Sequence, residues 1–170
     1  MGEDIALDEK RVYAERRERV EAYVAGDVGL ARVEIAGNRV GRFALARRGA
    51  IRDVAGGGGR LVVATAGDVL VGTEEGFAET GFGPATAVGV DGDRTFAAGP
   101  DGLGELAGNE WRTVAEGLDV RAIDGDLLAA GEACRIPDTP GNLEPLGVDS
   151  PRDVAAHGPY VAAEGGLYRI

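Results

Sequence analysis

One short pattern recurs five times along this chain: an apolar pair, an alanine, a polar turn and a second apolar run. It reads Tyr23-Val24-Ala25 with Gly29-Leu30, Val62-Val63-Ala64 with Asp68-Val69, and Phe96-Ala97-Ala98 with Gly102-Leu103. It continues as Leu128-Ala129-Ala130 with Ala133-Cys134 and Val161-Ala162-Ala163 with Gly166-Leu167. The aligned alanines 25, 64, 98, 130 and 163 are 39, 34, 32 and 33 residues apart. A unit this short cannot bury an apolar face by itself, so the chain must fold by stacking its repeats.

Each later unit also has an upstream flank of one type: Ile51 to Ala55, Ala85 to Val88, Asp119 to Ile123 and Pro151 to Ala155. Between flank and alanine lies a Gly/Asp-rich turn, at Gly56 to Gly59, Asp91-Gly92-Asp93, Asp124-Gly125-Asp126 and His157-Gly158-Pro159, which suits a tight hairpin. A third strand follows (Val69 to Thr73, Leu103 to Ala107, Leu167 to Ile170), then a more polar fourth (Arg39 to Leu45, Trp111 to Ala115). Four short antiparallel strands in about 33 residues make a β-propeller blade of the smallest kind. The expected fold is therefore all-β, one β-propeller-like domain over 1–170 with about five small four-stranded blades near 10–45, 50–80, 84–115, 119–148 and 151–170. The last unit stops after its third strand, so its blade is expected to be incomplete and its exposed edge is a possible pairing site for a second copy. The 29 glycines agree with many tight turns. The segment Asp8 to Ala25 has only a weak helical stripe and reads instead as a hairpin, Arg11 to Ala14 and Val20 to Ala25.

Composition narrows the setting. The net charge is −11, only Lys10 is lysine and only Ser150 is serine. Such a surface resembles that of proteins from salt-accumulating archaea, where a Debye length of about 3 Å removes most carboxylate repulsion. Nucleic acid is excluded as a partner, because phosphate neutralisation needs a clustered basic face. The nearest approach, Arg16, Arg17 and Arg19, is interleaved with Glu15, Glu18 and Glu21. Cys134 is alone, which fits a reducing interior. Met1 to Lys10 is acidic and lacks a signal-peptide core, and no apolar run approaches the roughly 18 residues of a membrane span. The expectation is a cytoplasmic protein that does not engage membranes.

The opening Asp8 to Tyr13, the run Gly26 to Val33, the strand Arg52-Asp53-Val54-Ala55 and the closing Gly165 to Ile170 together resemble a haloarchaeal family of β-propeller proteins of uncharacterised function. The likeness runs the whole chain. Its motifs are strand and turn residues, so it implies a fold and a cytoplasmic haloarchaeal setting and no activity.

Few side chains in this sequence suit chemistry. His157 and Ser150 flank one strand, yet a nucleophile needs its base in hydrogen-bond reach and an oxyanion donor pair; plain turn residues are the simpler account. Cys134 reads as a small buried hydrophobe, and no second Cys or His is spaced for zinc. Asp91/Asp93 and Asp124/Asp126 offer oxygen ligands but lack the ligand count of a calcium loop. Gly56 to Gly59 is followed by Arg60 and a strand, not by the Lys-Ser/Thr and helix of a phosphate loop. No metal or cofactor is implied. What remains is a recurrent set of charges on the first strands, Arg52, Asp53, Arg121, Arg152 and Asp153. These either converge on an axial pocket for an anionic or sugar-like ligand or tie neighbouring blades together. The aromatic residues Phe77, Phe82, Trp111 and Tyr168 are candidate exposed anchors for a protein partner. A non-enzymatic interaction scaffold is thus set against a metabolite-binding module or enzyme using the Arg/Asp-lined axis.

Overall fold

Period-two alternation of apolar and polar residues, broken every few positions by glycine, gives strands and short turns throughout the computed structural model, which describes residues 19–170. The described residues form five antiparallel sheets, each a meander in chain order. The first holds β1 (Arg19–Ala25), β2 (Gly29–Ala36) and β3 (Arg39–Arg48). The second holds β4 (Asp53–Gly57), β5 (Arg60–Ala64), β6 (Val69–Thr73) and β7 (Gly76–Glu79). The third comprises β8 (Ala87–Asp91), β9 (Arg94–Gly99), β10 (Gly102–Ala107) and β11 (Glu110–Glu116). The fourth comprises β12 (Ala122–Asp124), β13 (Leu127–Ala129), β14 (Glu132–Arg135) and β15 (Glu144–Asp149). The fifth is β16 (Pro151–Ala155), β17 (Tyr160–Ala163) and β18 (Gly166–Arg169).

Local chemistry explains the turns. Gly58 and Gly59, at the β4–β5 hairpin, both have positive φ (56° and 78°), the left-handed pair that a two-residue hairpin requires. Gly102 opens β10 at φ 123°, and a Cβ there would run into the Ala115 carbonyl of the neighbouring strand. In the second sheet Asp68 stands at the matching place before β6 and acts differently. Its carboxylate accepts the N–H groups of Val69 (2.8 Å), Thr80 (3.0 Å), Gly81 (2.8 Å) and Gly83 (2.9 Å), pinning the segment that leads to the third sheet.

Register corrects the repeat phase by one residue in the last two units. Ala64, Ala98, Ala129 and Ala162 pair with Asp53, Ala87, Ala122 and Asp153 on the preceding strand. On the following strand Ala25, Ala64, Ala98, Ala129 and Ala162 pair with Leu30, Val69, Leu103, Ala133 and Leu167. The repeat alanines are thus 129 and 162, not 130 and 163. Alanine doublets at both places hid the slip, because a one-residue shift keeps the letters and exchanges the faces.

Four apolar cores lie between consecutive sheets. Leu30, Ile51, Val63 and Leu70 fill the first interval, and Val62, Ala64, Val69, Val88 and Ala97 the second. Phe96, Leu103, Ile123, Leu128 and Cys134 are at the heart of the third, and Leu127, Ala129, Ala133, Val154 and Val161 form the fourth. The first strands β4, β8, β12 and β16 pack on one another in succession, the inner rim of a propeller. Among the described residues the fifth sheet makes no comparable packing against the first, so the sheets form an open arc. Among the described residues the first and fifth sheets have three strands; the Arg11 to Ala14 arm of the expected first hairpin lies outside them, while its Val20 to Ala25 arm falls in β1.

Candidate functional site

The inner rim is built by a recurring grip between adjacent sheets. Arg52, Thr86, Arg121 and Arg152 occupy one equivalent place, one residue before the partner of the repeat alanine. The Arg52 guanidinium donates to the Ala85 carbonyl of the next sheet (3.2 Å), the Thr86 hydroxyl lies 3.3 Å from the Val120 carbonyl, and Arg121 donates to Pro151 (3.4 Å). Asp53 and Asp124 add carboxylate acceptors for N–H groups one sheet on, those of Val88 (2.9 Å) and Ala156 (2.7 Å). The inter-sheet ties expected of these charges exist, but they run from side chain to backbone and not from Arg to Asp.

Burial pushes the Asp53 carboxyl above the ordinary Asp range; the N–H donors of Val88 and Val54 oppose this, and the charge of Asp153 adds to it. Arg152 does not reach a next sheet; its guanidinium meets Glu164 at 2.9 Å in a solvent-exposed pair. The five expected charges thus lie on or just before the first strands β4, β12 and β16, and Arg52 and Arg121 each spend one N–H on a carbonyl of the next sheet.

The four aromatic residues do not share a surface. Phe82 and Trp111 are half-buried and pack edge to face, centroids 4.7 Å apart, against the core between the second and third sheets. Phe77 is likewise half-buried against the first inter-sheet core. Only Tyr168 is exposed. Their side chains are drawn inward because sheets splay apart away from the axis, and large rings fill the wedges that small inner residues cannot. Open clefts remain between the outer strands. The cleft between the first and second sheets, about 760 Å³, is lined by Tyr23, Arg32, Leu61, Glu74, Glu75 and Phe77. Another of about 620 Å³, between the second and third, includes Arg60, Glu79, Thr80, Asp93, Thr95 and Asn109. Both are wide grooves whose polar groups do not converge on a point.

Ser150 and His157 sit before and after β16, a strand of five residues or about 16 Å, too far apart for a nucleophile and its base. Cys134 lies in the third core with its thiol directed at the Glu132 carbonyl (3.7 Å), and burial, then the Glu132 charge, raise its pKa.

The feature that sequence reasoning missed is the outer face of the first sheet. Tyr23 and Ala25 pack toward the second sheet, so the alternate residues point away from it. In register these form three rows: Val20, Ile35 and Val40; Ala22, Val33 and Phe43; Val24, Ala31 and Leu45. All nine are apolar, with Arg48 beside them on the same face opposite Gly29, and Phe43 and Val40 are 79% and 72% exposed. Its signal was present in the alternation of Val20 to Val24, Val33 to Ile35 and Phe43 to Leu45, but a local pattern does not tell whether a face is covered.

A family model described as HVO_0234-like β-propeller matches residues 6–170. No curated protein matches the chain in sequence. Among solved structures it is similar to PorZ, an essential bacterial surface component of the type-IX secretion system of Porphyromonas gingivalis, with a TM-score of 0.65 and 20% identity. That likeness covers 89% of this chain and 24% of PorZ, so the chain spans about a quarter of the length of the protein it resembles, and the shared property is the fold.

Proposed function

The chain belongs to the HVO_0234-like β-propeller family, and from that premise we propose that it is a non-enzymatic protein-interaction scaffold of a salt-rich cytoplasm. The observation that carries this reading is the apolar outer face of the first sheet. An exposed, contiguous apolar sheet face on an otherwise acidic protein marks an interaction surface. Its rigid backing adds to the case, because a sheet packed on its other side loses little conformational freedom on binding. Phe43, at the β3 end of the middle row and 79% exposed, is the anchor.

The alternative, a metabolite site or enzyme on the Arg/Asp axis, has less support, since neither of the two clefts described above is lined by these charges. The cytoplasmic setting rests on the acidic, nearly lysine-free composition and the single cysteine.

The test is affinity purification of the tagged chain in multimolar salt, with the retained proteins identified and counted by mass spectrometry. A stoichiometric foreign protein that is lost with Phe43→Glu and kept with Arg52→Ala supports the scaffold. Retention of no foreign protein, or of one indifferent to Phe43→Glu, overturns it.

A further inference from the structure

We infer that the outer faces of the first and fifth sheets are the two halves of one interface, and that the first sheet of one copy stacks on the fifth sheet of another. The inference goes beyond the scaffold reading and shares with it one premise, that the first-sheet face binds protein; the occupant it assigns to that face is a second copy of this chain.

The argument comes from the four intervals already filled. Each is made by a forward-facing row of one sheet closing on a backward-facing row of the next. The forward-facing place held by Leu30, Val69, Leu103 and Ala133 is solvent-free in the first four sheets, and Leu167, its equivalent in the fifth, is 70% exposed. The backward-facing place held by Val63, Ala97, Leu128 and Val161 is fully buried, and Val24, its equivalent in the first sheet, is 55% exposed. Thus the described residues contain one unmatched forward face and one unmatched backward face, of the kind that meet four times inside the chain. They do not meet each other within one copy, because the arc is open.

Two further features fit a second copy. The fifth sheet carries Arg152 and Asp153 where the second carries Arg52 and Asp53, the pair that grips the following sheet through the Ala85 carbonyl and the Val88 N–H. Asp153 accepts the Val154 N–H as Asp53 accepts that of Val54, and among the described residues its bond to a following sheet is missing. In addition, β3 holds Arg39, Arg42, Arg47 and Arg48 and no acid, in a chain of net charge −11. The edge of the first sheet is cationic, and an acidic body such as another copy is drawn to it. A contact between two different faces is heterologous, so it propagates unless its rotation closes a ring.

The experiment measures the mass of the full chain by sedimentation velocity and light scattering in multimolar potassium chloride, from about one to a hundred micromolar. Wild type is expected to exceed the 17.5 kDa of one chain at least twofold at the upper concentrations. Val24→Glu and Leu167→Glu, both at exposed sites, are each expected to be monomers with the wild-type circular dichroism. Mixed in equal amounts they are expected to form a dimer that grows no further, because one chain keeps its fifth-sheet face and the other its first-sheet face. A wild type that stays at one chain's mass throughout overturns the inference and assigns the faces to residues 1–18 or a foreign protein. So does assembly that survives Leu167→Glu, which would mean two first sheets meeting symmetrically. A foreign partner dependent on Phe43 with a monomeric chain leaves the scaffold standing without self-stacking; a multimer that retains only itself does the reverse.

Discussion

Leu103 and Leu167 hold the same rung of the same repeat, each opposite its unit's alanine, and the first is buried while the second lies in water. The same letter in the same register thus contributes to stability in the middle of the arc and not at its end. What the difference teaches is that a residue here stabilises through the sheet that follows it, not through its own hairpin.

The sharpest way to break that comparison is to truncate both leucines. Leu103→Ala should cost about 3 kcal/mol, the usual range for an enclosed leucine that leaves a cavity, and Leu167→Ala should cost less than about 0.5 kcal/mol. Denaturant melts in multimolar salt, at concentrations where the chain is monomeric, would show this, and equal costs would mean that the fifth sheet is covered after all. Next in size is Asp68, for which there is no counterpart in the end sheets. Asp68→Ala would strand four backbone N–H groups and cost about 2 kcal/mol. Burial alone would raise the Asp68 carboxyl, but the N–H donors of Gly81, Gly83, Val69 and Thr80 together bring it below the ordinary Asp range. Its stabilisation is therefore complete above the unfolded value of about 4 and disappears as pH falls through the lower folded value. Melts of wild type and Asp68→Asn should converge below about pH 4, and a constant gap would refute the carboxylate's role. The smallest contrast is between the arginines. Arg52→Ala should cost about 1 kcal/mol through its tie to Ala85, whereas Arg152→Ala, which loses only an exposed pair with Glu164, should change stability by under about 0.5 kcal/mol.

Much of this architecture was legible before any coordinates, because period-two alternation and glycine turns are local signals. The all-β class and five-fold repetition follow from Val62 to Ala64, Phe96 to Ala98 and their equivalents. The phase of the fourth and fifth units was not legible, since Leu127-Leu128-Ala129-Ala130 reads equally well in two registers until cross-strand partners decide. The candidate site was legible in part: the charges at 52, 53, 121, 152 and 153 do lie on the inner rim, but whether a guanidinium meets a carboxylate or a carbonyl depends on a neighbour some 30 residues away. Phe82 and Trp111 have the side chains of partner anchors, and only the splay between sheets places them against a core.

The meander within each sheet, and the packing of each sheet on its sequence neighbours alone, shape how the chain would come apart. With the main packing among the described residues confined to adjacent units, opening need not be global: a terminal sheet can detach after losing a single interval, while a central one must lose two. Amide protons of β2 and β17 should therefore exchange with deuterium sooner than those of β9, in a gradient rising from the middle of the arc toward both sides. Because each sheet pairs only strands consecutive in the chain, assembly can also proceed stepwise, any hairpin pair serving as the seed on which neighbours condense.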